Sequence, residues 1–147
     1  RQVPAWAAAE GGRGAGRVLV AAKPVWCPSA LRALHLPRNR LLSTSAKRLA
    51  TSLHHNKTLT HLSLPQNPLG PKGAAHLAEM LCVNGCLRKL DLEGCGFNEA
   101  AALALARGLA LNKGLQSLEL SENHVGAHGV RHLASALAVG PLHGSSG

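Results

Sequence analysis

Aromatic side chains are almost missing from this chain. Its 147 residues hold Trp6, Trp26 and Phe97 and no tyrosine. Any core must therefore be aliphatic, and no row of rings is available on which the bases of a single-stranded nucleic acid would stack. No apolar run approaches the roughly 20 residues of a membrane-spanning helix. Acids are also scarce: seven Asp and Glu against 16 Lys and Arg give a formal charge of +9. The excess is local. Residues 1–58 carry ten basic residues and one acid, Glu10, whereas residues 59–147 carry six of each sign. Phosphate contact needs clustered Lys and Arg, so a nucleic-acid partner would rest on the leading segment alone, and none is expected for the rest. Four cysteines, Cys27, Cys82, Cys86 and Cys95, are too few for a small disulfide-stapled secreted domain. They read as reduced thiols of an intracellular, cytoplasmic protein.

What the chain has in abundance is leucine at a fixed spacing. Leu31, Leu59, Leu87 and Leu115 stand 28 residues apart and open the phrases LRALHLPRN, LTHLSLPQN, LRKLDLEGC and LQSLELSEN. Periods of this length mark stacked architectures. The alternation L-x-x-L-x-L reads as a short strand with one buried face. That face holds Leu34 and Leu36, Leu62 and Leu64, Leu90 and Leu92, and Leu118 and Leu120. A turn position follows: Asn39, Asn67, Cys95 and Asn123. An asparagine there satisfies backbone groups that stacking would otherwise bury unpaired. Cys95 substitutes a small, weakly polar side chain.

The second half of each unit has helical periodicity. Its inward stripe is Ala46, Leu49, Ala50, Leu53, then Ala74, Leu77, Ala78, Leu81, then Ala102, Leu105, Ala106, Leu109, and last Val130, Leu133, Ala134, Leu137. Pro71 suits a first helical turn, and Asn56, Asn84 and Asn112 close the helices. One such unit cannot bury its own apolar face, so each must stack on the next. The row Leu118, Leu120, Leu133, Leu137 has no fifth unit to cover it, and further repeats or a cap are expected in a longer protein. The organisation is a leader over 1–30, four repeats over 31–58, 59–86, 87–114 and 115–140, and a tail over 141–147.

This pattern, L-x-x-L-x-L-x-x-N-x-L followed by G-x-x-G-A-x-x-L-A-x-x-L-x-x-N, resembles the ribonuclease-inhibitor type of leucine-rich repeat. The second unit, LTHLSLPQNPLGPKGAAHLAEMLCVN, matches most fully. The 28-residue units look most like those of nucleotide-binding leucine-rich-repeat receptors and related stand-alone repeat proteins. The resemblance implies an α/β solenoid, a horseshoe with parallel strands on the concave face and helices on the convex face. It also implies work by protein–protein contact. It leaves open a regulator of an enzyme or small GTPase, inhibitor-like or GTPase-activating, and a part of an innate-immune-type receptor. No G-x-x-x-x-G-K-[ST] phosphate loop accompanies the repeats.

On this reading a partner meets the outward side chains of the strands: His35, His61, Ser63, Lys89, Asp91, Glu93, Ser117, Glu119 and Ser121, with Ala33, Pro37 and Pro65 between them. The face runs from weakly basic to acidic, which would orient a polar partner. No catalysis is expected. Ser63 and His61 share one strand face, and a nucleophile needs a base and an orienting group within reach. Zinc needs three or four converging ligands. His128 and His132 are one helical turn apart but have Gly129, Val130 and Arg131 between them, with no H-E-x-x-H glutamate. Cys82, Cys86 and Cys95 are spread over a helix end, a strand and a turn. Neither set reads as a metal site, and no cofactor is expected. His54 and His55 sit at a helix end, where positive charge is favoured.

The leader, rich in Ala, Gly and Arg, lacks sustained periodicity and reads as poorly ordered. Its shortage of acids also admits a mitochondrial transit segment. Deleting residues 1–30 is expected to leave localisation unchanged in fluorescence microscopy. Loss of an organellar signal on deletion would establish the targeting reading instead.

Overall fold

The structure is a computed structural model, and it describes residues 31–139. The leader, Cys27, Gly140 and the tail lie outside the described residues. Eight elements alternate: β1 (Ala33–His35), α1 (Ser43–His55), β2 (His61–Ser63), α2 (Gly70–Val83), β3 (Lys89–Asp91), α3 (Glu99–Leu111), β4 (Ser117–Glu119) and α4 (Gly126–Val139). The strands form one parallel sheet in the order β1-β2-β3-β4. Its register equals the sequence period: Leu34 pairs with Leu62, Leu62 with Leu90, and Leu90 with Leu118. Parallel neighbours need a crossover connection, and each unit's helix supplies it.

The leucine and alanine stripes meet between sheet and helices. Leu62, Leu64, Leu90 and Leu92 are buried against Ala46, Leu49, Ala74, Leu77, Leu81, Ala102 and Leu105. The outer units are less buried: at the fourth this follows the expectation for the uncovered row Leu118, Leu120, Leu133, Leu137, while at the first, and at Val130 and Ala134, it departs from the inward stripe. Leu34, Leu36, Leu118 and Leu120 are only partly buried. In α4, Val130 and Leu137 are 56% and 59% exposed and Ala134 is exposed. The cause is stacking: among the described residues no further helix or strand lies against β1 or α4 on their outer sides. Residues the stripe did not include are buried as well. Gly73, Met80, Ala101 and Gly108 lie where adjacent helices touch. A side chain at Gly108 would put its Cβ 2.6 Å from the Ala78 carbonyl oxygen.

Two rows of asparagines tie the units together. Asn67 accepts from the backbone N–H of Asn39 (2.8 Å) and Leu41 (3.1 Å), and its amide donates to the carbonyls of Leu36 and Leu64. Asn123 repeats this two periods on, accepting from Cys95 and Phe97 and donating to Leu92. The second row, at the helix ends, does more than close the helices. Asn84 donates to Leu53 (2.6 Å) and Asn56 (3.2 Å), and Asn112 donates to Leu81 (2.7 Å) and Asn84 (2.8 Å). Each accepts in turn from the N–H groups two and three residues ahead.

Cys95 interrupts the first row. Its thiol donates to the Leu64 carbonyl at 3.3 Å, but it has no amide oxygen to offer the preceding turn. The Leu69 N–H goes instead to its own neighbour, the Asn67 carbonyl, at 2.7 Å. The turns alternate accordingly. In the first and third units the left-handed residue after the ladder position is Arg40 or Gly96, and the helix begins at Ser43 or Glu99. In the second unit Pro68, whose ring holds φ near −65°, takes that place; the left-handed residue moves to Gly70, where α2 starts. The fourth unit matches the second through Gly126.

Two outcomes are expected. Asn84→Ala leaves buried carbonyls and N–H groups without partners, each costing roughly 1–3 kcal/mol, so urea denaturation should show a loss of about 2–4 kcal/mol. Burial pushes the Cys95 thiol up to about 11. The thiolate is the reactive form, so at neutral pH an alkylating reagent should modify exposed Cys82 and spare Cys95 until urea unfolds the chain, as read by mass spectrometry.

Candidate functional site

The strand face turned away from the helices carries the polar residues. Because the register is 28, side chains one period apart sit side by side. Ala33, His61, Lys89 and Ser117 form one column, and His35, Ser63, Asp91 and Glu119 form the next. Adjacent strands are ~4.8 Å apart, close enough for lateral hydrogen bonds.

The second column uses that closeness. The Ser63 hydroxyl donates to Asp91 Oδ2 at 2.7 Å, which leaves its oxygen to accept from His35 Nδ1 at 2.7 Å. Three consecutive units are thus linked by side chains on the open face. Asp91 also accepts from the Glu93 N–H at 3.1 Å. One strand on, Glu119 accepts from the Ser121 N–H at 2.9 Å and from the Ser121 hydroxyl. Those two bonds hold the Glu119 carboxyl below its ordinary range. His61 Nδ1 is 2.8 Å from the Thr60 hydroxyl, which donates to the Arg32 carbonyl at 3.0 Å. Lys89 is exposed beside His61 and Ser117.

Serine, histidine and aspartate do come together here, in an order that differs from a hydrolytic relay. The serine is in the middle. Its proton points to the carboxylate, and the imidazole donates to the serine rather than drawing a proton from it. Nucleophilic activation needs the histidine as the base, held in turn by the acid. This column orients polar groups and does not generate an alkoxide.

A third column borders the face at the strand ends: Arg38, Gln66, Gly94 and Glu122, all with left-handed φ between 51° and 60°. The Gln66 amide reaches over the third unit to Glu122 Oε2 at 2.6 Å, two periods away. Gly94 makes this reach feasible: a Cβ there would lie 2.5 Å from Gln66 Nε2. Gln66 was not among the candidate residues. The signal for it was the same 28-residue spacing, applied one position before the ladder asparagine.

The other candidates disperse. His128 and His132 lie on α4, the first exposed and the second half-buried. Cys82 is exposed, Cys86 half-buried and Cys95 buried. No three metal-ligating side chains converge among the described residues. On the convex side, α1 and α2 frame a shallow groove of about 360 Å³ lined by Lys47, Thr51, His54, His76 and Glu79. Within it His76 lies 3.8 Å from Glu79. No described helix is long and apolar enough to cross a membrane.

Residues 55–78 and 112–134 match the family model described as Leucine Rich repeat. Both segments run from a helix end through the next strand and into the following helix. No curated protein matches the chain significantly. Among solved structures, leiomodin-1 actin-binding site 2 is similar with a TM-score of 0.67 and 19% identity, over 74% of this chain and 64% of that one. The tropomodulin C-terminal domain of Caenorhabditis elegans is similar with a TM-score of 0.67 and 15% identity, over 76% of this chain and 70% of that one. The chain thus spans just under two-thirds of the leiomodin-1 structure. At such identities the likeness concerns the fold. Its repeats, its register and these matches make the described chain a leucine-rich-repeat solenoid of four α/β units.

Proposed function

We propose that this chain is a non-catalytic protein-interaction module that receives its partner on the concave strand face. The observation that carries the reading is the linked column His35–Ser63–Asp91, continued in register by Glu119. Its bonds join three strands, and Glu119, held by Ser121, extends the column to the fourth, so these polar groups are presented as an ordered surface and not as independent mobile side chains. Ordering before contact lowers the entropic cost of association. Lys89 on one side and Asp91, Glu93 and Glu119 on the other give the surface a direction, which favours one partner orientation. Concave repeat surfaces are extended binding surfaces by construction.

The 28-residue unit and its helix phrase G-x-x-G-A-x-x-L-A-x-x-L-x-x-N, fullest in the second unit, favour the ribonuclease-inhibitor type within leucine-rich repeats. That type includes inhibitors of enzymes and activators of small GTPases, so a regulator of such an enzyme is the second reading, and a segment of an innate-immune-type receptor the third. The leiomodin-1 structure bears an actin-binding site, which makes actin a sensible first partner to assay.

Charge reversal at Lys89, Asp91, Glu93 and Glu119 tests the face, with reversal at Lys72 and Glu79 on α2 as the convex control. Partner recovery in quantitative pull-down is expected to fall about tenfold for the concave set and to hold for the convex set. Equal recovery with both would sink the concave reading. Far-UV circular dichroism checks that both variants keep their helices.

A further inference from the structure

The loops that follow the strands form one edge of the solenoid, and this edge carries arginines at one end and a glutamate at the other, with the Gln66 amide laid across the third unit between them. The first unit places Arg38 and Arg40 there, both exposed and neither in an ion pair among the described residues. The fourth places Glu122 there, also exposed. The middle units present Gln66 and Gly94 at the position of Arg38 and Glu122, and Pro68 and Gly96 at that of Arg40.

A surface of this kind is complementary to itself when reversed. Consider a half-turn about an axis that passes between the β2 and β3 loops and points from the concave to the convex side. It lays the first unit of one copy against the fourth unit of the other, and the second against the third. Each residue then faces its equivalent 28 or 84 positions away. Arg38 meets the second copy's Glu122. Leu42, a 55% exposed leucine, meets Gly126, and Pro68 meets Gly96. Opposite charges meet at the two outer described units, where Leu42 also faces a glycine, and Pro68 faces a glycine in the middle. Arg40 against His124 is poorly matched.

We propose that this loop edge is the interface of a two-fold symmetric dimer of the chain. A two-fold contact uses the same patch on both copies, and the reversed order of charge and bulk along this edge meets that condition. The four loops span about 14 Å at the strand spacing, so the patch is smaller than the ~800 Å² per partner of a standard interface. The association is therefore weak, and salt-sensitive because its charged groups are exposed. The symmetry also sets the two concave faces side by side, opening in the same direction. This goes beyond the concave-face reading and does not depend on it.

The test is sedimentation velocity on the complete 147-residue chain, over a range of concentrations, at about 50 mM and about 300 mM salt. Concentration-dependent dimerisation that weakens at the higher salt is expected. Arg38→Glu and Glu122→Arg should each weaken it about tenfold, and the double exchange should restore it to within about threefold. Both E122R and the double exchange lose the bond from Gln66, so recovery in the second cannot come from that bond. A chain that stays monomeric throughout, a dimer indifferent to either single substitution, or a double exchange that restores nothing would each overturn the proposal.

Discussion

Stacking four short units creates a polar problem before it creates a core. Every strand end and every helix end delivers backbone N–H and C=O groups into the space between neighbours, where water has little access. A lost hydrogen bond there costs more than a made one gains. The asparagine side chain answers this because it carries two donors and an acceptor on a short stem. Asn67, Asn84 and Asn112 are the buried polar residues of the described chain, and each joins its own turn to the preceding unit. Leucine burial supplies the driving force. The asparagines decide that one unit is followed by another at a single register.

That register is what turns a repeat into a surface. Once His35, Ser63, Asp91 and Glu119 are neighbours across the sheet, residues a full period apart behave as a local group. Gln66 reaching Glu122 over Gly94 extends this to two periods. The loop edge inherits the same property: its charge order along the solenoid axis follows directly from the order of units in the sequence. Concave face and edge thus draw on one regularity, the first proposed to serve a foreign partner and the second another copy of the chain.

Much of this was legible in advance, and the rest was hidden for identifiable reasons. The strands, the helices, the leucine and alanine stripes and the ladder Asn39, Asn67, Cys95, Asn123 all follow from spacing alone. The concave residues were also readable, since alternation assigns them to the outer face. Their mutual bonds were not. Whether Ser63 contacts His61 on its own strand or His35 and Asp91 on the neighbouring ones depends on lateral geometry, which a linear pattern does not express. The exposure of Leu137 was expected from its uncovered row, but that of Val130 was not, nor the partial burial of Leu34 and Leu36 at the other end: the period assigns them an inward place, while burial requires a neighbour. The alternation of turns lay beneath a uniform 28-residue spacing and depends on Pro68, Gly70, Gly96 and the missing amide of Cys95.

Gly108 carries a consequence for the shape of the whole arc. Strands in a sheet stand ~4.8 Å apart, while helices packed side by side are usually 8–10 Å apart, and that mismatch is what bends a repeat array into a horseshoe. Where the backbone of α3 comes within reach of the Ala78 carbonyl, with room for no side chain between them, the outer layer is drawn in and the mismatch shrinks. A close approach at Gly108 works against the bend between the second and third units, behind the place where Ser63 donates to Asp91. A glycine on the outer wall thereby sets how shallow the inner wall can be, and so how flat an object can rest against it.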